Sequence, residues 1–169
     1  MTPLETRFLL EIQKRIGCPY IWAAKGDYAQ RGDRAVPIGE LGAAQAFDCS
    51  GLITSTAKAC GANDLRGWWN AAAMLQHLPE PAPGETLALA IYGTDGHADH
   101  VALELGVFTP HLVIEAAGGD STTLTAADAA RSPYLAGGAR VGLWPETHHQ
   151  RLGVRSLAAL MSAPQIPPK

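Results

Sequence analysis

Long apolar runs are missing from this 169-residue chain. No stretch approaches the roughly 20 residues needed to cross a bilayer, so no membrane span is expected. Glu5, Glu11, Lys14 and Arg15 interrupt the opening segment, which excludes the apolar core of a signal peptide there. Excess charge is missing too: a formal net charge of −3 leaves no footprint for nucleic acid or an anionic membrane. Cysteine is scarce. Cys18, Cys49 and Cys60 make an odd count without a CxxC pair, which is neither a disulfide framework nor a zinc ligand set. A reducing compartment, or release by means other than secretion, fits these absences. With 47% hydrophobic and 17% charged residues, the composition is that of a globular chain. The length suits one domain over residues 1–161 that buries roughly two-thirds of its unfolded surface, followed by a flexible tail at 162–169.

What is present reads as helices first and strands later, an α+β domain. Thr2-Pro3-Leu4-Glu5 is a capping box opening a helix with Leu4, Phe8, Ile12 and Ile16 on one stripe, ended by Gly17 and Pro19. Tyr20-Ile21-Trp22 is a short extended piece. Ala23 to Ala46 then reads as a long polar loop with a helical turn at Glu40 to Gln45, the kind of loop that borders a binding cleft. Its Arg31-Gly32-Asp33 tripeptide is ascribed to chance. Trp68 to Leu78 reads as a helix with Trp68, Ala72 and Leu75 inward and Trp69 as a further candidate. Beyond Pro83-Gly84 the period changes to two. Strands are expected around Leu87 to Ile91, Asp99 to Leu105, Leu112 to Ala117 and Ala139 to Leu143, with a capped helix from Thr125. Arg151 to Met161 reads as a terminal helix.

The chemistry centres on Phe47-Asp48-Cys49-Ser50-Gly51-Leu52. Asp48 is a good N-cap, so Cys49 falls in the first turn of a helix running to Cys60. The partial positive charge of a helix start favours thiolate, the nucleophilic form. Two readings stay open on local physics: a nucleophile, or a small buried apolar residue. Cys60, eleven residues on and ~16 Å away along a helix, cannot pair with Cys49 and reads as core.

A thiolate nucleophile needs a base, and the base an orienting partner. Of the histidines, His148 and His149 lie in a polar stretch, His77 ends a helix and His97 sits in a turn; His100 opens a strand. A four-residue loop at Gly106 to Thr109 would place His100 directly opposite Glu115 and His111 opposite Glu104, while a two-residue slip would offset the pair. Glu115 could then hold the imidazole tautomer. His111 is the alternative third member. A charged residue in the apolar run Leu112-Val113-Ile114 asks for such a reason, because unpaired buried carboxylates are costly. The spacings of Asp95, His97, Asp99 and His100 match no standard metal site. No cofactor is called for.

With these residues in hand, the chain resembles the NlpC-type cell-wall peptidases, cysteine hydrolases with a papain-like core. Gly17-Cys18-Pro19-Tyr20-Ile21-Trp22 looks like that family's entry motif, and Phe47 to Leu52 is similar to its F-D-C-S-G-[LF] nucleophile motif. Pro83-Gly84-Glu85-Thr86-Leu87, His100-Val101-Ala102-Leu103, Val113-Ile114-Glu115-Ala116 and Ala139-Arg140-Val141 follow in the family's order. The resemblance spans about Gly17 to Val141. It implies N-terminal helices packed on a C-terminal antiparallel sheet, with Cys49 as nucleophile, His100 as general base and acid, and the third polar residue as orienter. Tyr20, Asp48 and Ser50 are implied at the substrate end, with Tyr20 near the oxyanion. Glu115 stands where the family more usually has histidine, asparagine or glutamine. Ala23-Ala24 replaces a Gly-Gly, and the segment to Ala46 is longer than usual.

The expected substrate is a peptidoglycan stem peptide or muropeptide. The resemblance implies cleavage between D-glutamate and the diamino acid. A monomer is expected, and the missing signal peptide and single-domain size point to a protein that is cytoplasmic, virion-associated or released by lysis or injection. Asp48, beside the nucleophile, could pair with a free substrate amine or serve only as a cap. The alternatives are an amidase or acyltransferase on the same fold, such as an N-acetylmuramoyl-L-alanine amidase, and, from another class, a non-catalytic phage-tail or assembly module.

Overall fold

A computed structural model describes residues 1–106, 112–145 and 150–167. Helix α1 (Pro3–Gln13) starts at the Thr2–Glu5 capping box and buries Phe8 and Ile12, while Ile16 lies beyond it and is exposed. The segment from Ala23 to Ala46, expected as a long polar loop with one helical turn, also contains strands. It holds β1 (Lys25–Gly26), β2 (Tyr28–Arg31), β3 (Arg34–Pro37), a 3-10 turn at Ile38–Leu41 and β4 (Ala46–Phe47). β2 and β3 form a hairpin, β1 pairs with β4, and Ile21, Ala24, Ala29, Ile38 and Ala46 make a small core of their own.

Helix α2 (Cys49–Ala59) follows, capped by Asp48. Every residue from Ser50 to Ala57 is buried, with Thr54 and Thr56 satisfying their hydroxyls on the preceding turn. Glycine is required at position 51: a Cβ there would lie 2.0 Å from the Ala24 carbonyl oxygen. The next helix, α3 (Ala71–His77), starts later than the sequence suggests because Asn70 caps it. That later start turns its buried side to Ala71, Met74 and Leu78. Trp69 (2% exposed) goes inward and Trp68 (51%) and Ala72 outward, reversing the expected choice.

The sheet is antiparallel, in the order β8-β7-β6-β5-β9, built from β5 (Ala88–Thr94), β6 (His97–Glu104), β7 (Leu112–Ala117), β8 (Arg140–Pro145) and β9 (Gln150–Ser156). Helix α4 (Ala126–Arg131), opened by the Thr125–Asp128 capping box, lies between β7 and β8 in the chain. The expected C-terminal helix is confined to α5 (Leu157–Met161). Residues 150–156 are instead an edge strand hydrogen-bonded to β5, with Ser156 capping the helix that follows. The helices pack on one sheet face through the main core. Ala90, Tyr92, Ala102 and Val113 are buried on the other, so β5 shows no polar alternation. After Met161 the chain is pinned rather than frayed at its start. Asn63 donates to the Ala163 carbonyl at 3.0 Å and Trp69 to that of Pro164 at 2.9 Å.

Glu5 ties helix to sheet. Its carboxylate accepts from the backbone of Thr2, and from Thr86 and Leu87 at 2.5 and 2.9 Å where the chain enters β5. Burial raises its pKa, but those hydrogen bonds outweigh it and hold the group at about 2. Because the folded pKa is depressed, this stability is present above the ordinary glutamate value near 4.5 and lost as pH falls through about 2. Glu5→Ala is expected to cost ~2–4 kcal/mol near neutrality, from buried backbone N–H groups left without a charged acceptor. It should also flatten the acid limb of stability. Urea unfolding at neutral and acid pH checks both.

Candidate active site

Asp48 leaves the chain extended, and its carboxylate accepts the Gly51 N–H at 2.5 Å, so Cys49 becomes the first residue of α2. The Leu52 N–H is already bonded to the Asp48 carbonyl. The N–H groups of Cys49 and Ser50 therefore open the helix without an acceptor inside it. The thiol is partly buried, its Sγ 3.8 Å from the carbonyl oxygen of Asp99. That carbonyl is placed by a β-bulge: β5 pairs Tyr92 with His100 and then Gly93 with Ala98, leaving Asp99 as an extra residue. Bulges beside a site re-aim side chains. Here the bulge sits next to His100.

His100 and Glu115 meet, though not by the expected register. β6 and β7 pair Leu103 with Ile114 and Glu104 with Val113, so the hairpin closes two residues later than expected. Glu115 then faces Ala102, and His100 is its diagonal neighbour. A shift of two keeps every side chain on its own face, and diagonal neighbours stay within reach of long side chains. The His100 Nε2 is hydrogen-bonded to Glu115 Oε2, and the imidazole is also hydrogen-bonded to Cys49. The ring of Tyr92 lies 6.0 Å from that of His100. His111, the alternative third member, and the pair His148 and His149 lie outside the described residues.

Burial lowers the pKa of His100, but its hydrogen bonds to Cys49 and Glu115 and their charges outweigh that and raise it to about 10. The imidazole is therefore held as the cation that a thiolate needs beside it. Burial pushes the thiols of Cys18 and Cys60 up, so neither is a competing nucleophile. The Tyr20 hydroxyl is likewise pushed up, by burial first and then by the charges of Cys49, Asp48 and Asp120, which keeps it a hydrogen-bond donor.

Cys49, His100, Glu115 and Tyr20 line one cavity of about 440 Å³, together with Trp22, Asp120 and Tyr134. Gly119 allows it: a Cβ there would lie 2.0 Å from the Tyr20 ring. Asp48 and Ser50, expected at the substrate end, are buried and do not line the cavity. Their polar atoms are engaged by a residue that the sequence did not single out, Lys25, whose ammonium reaches Asp48 at 2.7 and 2.9 Å and Ser50 Oγ at 3.0 Å. No residue of the Ala23 to Ala46 segment lines the cavity either, so its expected role as a cleft border is replaced by this contact from behind. Among the described residues, no group of three or more His, Cys, Asp or Glu side chains is placed to hold a metal ion. No described helix is long and apolar enough to cross a membrane.

No family profile and no curated protein matches the chain. Solved structures do. RipD of Mycobacterium tuberculosis, described as a non-catalytic NlpC/p60 domain protein adapted to peptidoglycan binding, is 18% identical, with a TM-score of 0.55 over 91% of this chain and 96% of that one. RipB of the same organism, described as a peptidoglycan hydrolase, is 20% identical with a TM-score of 0.54; the match covers 91% of this chain but 64% of RipB. The P60 domain of antigen MAP1204 from M. avium subspecies paratuberculosis is 18% identical, with a TM-score of 0.53 over 91% and 94% of the two chains. The chain has the papain-like fold of NlpC/p60 domains, helices packed on an antiparallel sheet, as the sequence motifs imply.

Proposed function

We propose that this chain is a cysteine hydrolase of peptidoglycan stem peptides, cutting between D-glutamate and the diamino acid. The fold alone does not decide this, since RipD is described as non-catalytic and RipB as a hydrolase. The observation that carries the reading is the contact of Cys49 with an imidazole that Glu115 holds from the other side, all three lining one cavity. The choice of bond rests on the motif resemblance.

In this reading the Cys49 thiolate attacks the amide carbonyl, and the oxyanion is met by N–H groups at the start of α2 and by the Tyr20 hydroxyl. The His100 cation gives its proton to the leaving amine, which departs and leaves a thioester on Cys49. Neutral His100 then takes a proton from water as the hydroxide adds to the thioester; collapse of the adduct expels the Cys49 thiolate, which restores the thiolate–imidazolium pair, and the carboxylic acid product leaves and loses its proton to solvent. Glu115 fixes the ring's orientation throughout.

Purified peptidoglycan and defined muropeptides, weighed by mass spectrometry after incubation, test the reading. Products cut at the D-glutamyl bond support it. Cleavage at the bond to muramic acid would make the protein an amidase. Co-sedimentation with peptidoglycan and no product from any substrate would make it a binding module of the RipD kind.

A further inference from the structure

The hydrolysis above leaves Lys25 without a task, although Lys25 is only 9% exposed and bonds to the residues on both sides of the nucleophile. Strand β1 brings it there. Lys25 pairs with Phe47 on β4, just before the first turn of α2, while its own carbonyl is held by the Ser55 hydroxyl at 2.8 Å. An ammonium has three protons, and this one has three acceptors: Asp48 Oδ1 at 2.9 Å, Asp48 Oδ2 at 2.7 Å and Ser50 Oγ at 3.0 Å. Asp48 Oδ1 also accepts from the Gly51 N–H at 2.5 Å and the Ser50 hydroxyl at 3.2 Å. A lone cation at a helix N-terminus would oppose the helix dipole, and a lone buried carboxylate would be costly. Together they form a neutral unit clamped around Cys49.

We propose that Lys25 is a positioning residue: its ammonium occupies the acceptors of Asp48 and Ser50 from behind the cavity and so fixes the turn that carries Cys49. This positioning role rests on the clamp alone and is independent of the hydrolase reading. Removing the Lys25 side chain leaves a buried carboxylate with a channel the width of four methylenes beside it. A primary alkylammonium ion can refill that channel with both the charge and the three donors, whereas tetramethylammonium carries the charge without donors.

The test uses the full chain with Lys25→Ala. Alkylation of Cys49 by iodoacetamide, followed by peptide mass spectrometry, is expected to slow by about ten- to a hundredfold as the thiol leaves its place beside His100. Butylammonium in the tens of millimolar should restore it, and tetramethylammonium at equal ionic strength should not. Alkylation unchanged by the substitution, or restored equally by both ions, overturns the positioning role. If the wild type cleaves nothing, the hydrolase reading fails while the alkylation result still decides the clamp. If Lys25→Ala does not fold, recovery of its melting transition in butylammonium alone supports the clamp, and no recovery overturns it.

Discussion

Cys49→Ala is expected to bring stem-peptide hydrolysis down to the assay background, a loss of about 10⁴-fold or more, with the melting transition in place. The effect is large because no described group can substitute. Cys18 and Cys60 carry thiols that burial keeps protonated, and Cys49 alone of the three lines the cavity with the imidazole. The fold should survive because the thiol is partly exposed and alanine is a good helix former at the same position. Mass spectrometry of muropeptide products, with a thermal melt as control, reads both. Alkylation adds a second check: Cys49 in the wild type should react far faster than Cys18 or Cys60. Turnover persisting in Cys49→Ala, or abolished only by a chelator, would end the thiol mechanism.

Glu115→Ala should lower the rate by about 10²–10⁴-fold, the range of a positioned acid–base partner. Glu115→Gln keeps an acceptor for the Nε2 proton and removes the charge, so a smaller loss is expected. The pH dependence separates orientation from packing. The folded pKa of His100, about 10, lies above its ordinary value of 6.5. Its protonation therefore stabilises the fold fully below about 6.5 and ceases to do so as pH rises through about 10. Removing Glu115 removes one of the two partners that raise it. The alkaline limb of both stability and rate should move to lower pH in the two variants. A limb that stays in place would mean that Glu115 does not act on His100. His111→Ala is expected to be nearly silent; if the two substitutions exchanged effects, His111 would be the third member of the site.

Local chemistry in the sequence was enough for the helix starts at Thr2, Asp48 and Thr125, because each cap and its partner lie within three residues. Strand alternation was enough to put His100 and Glu115 on one face. It could not count the hairpin loop, since a slip of two residues leaves the alternation unchanged. Asn70 was passed over as a cap because the tryptophans before it extend the apolar pattern, and the face of α3 was misplaced with it. Residues 150–156 carry a helix-compatible pattern, and only the open edge of β5 makes them a strand. Lys25 was invisible for a related reason. Its partner Asp48 is 23 residues away, and nothing in Ala23-Ala24-Lys25-Gly26 marks a cation that will be buried.

Enclosure of α2 on every side from Ser50 to Ala57 bears on how the two halves of the site fluctuate. A helix with no solvent face opens only when the whole core opens, so its amide protons belong to the slowest-exchanging class in the chain. The imidazole is carried differently, near the start of β6, where the ladder is already interrupted at Asp99 and where His97 and Asp99 are exposed. Thermal variation in the sulfur–imidazole distance therefore originates on the strand side, with the sulfur as the stationary member of the pair.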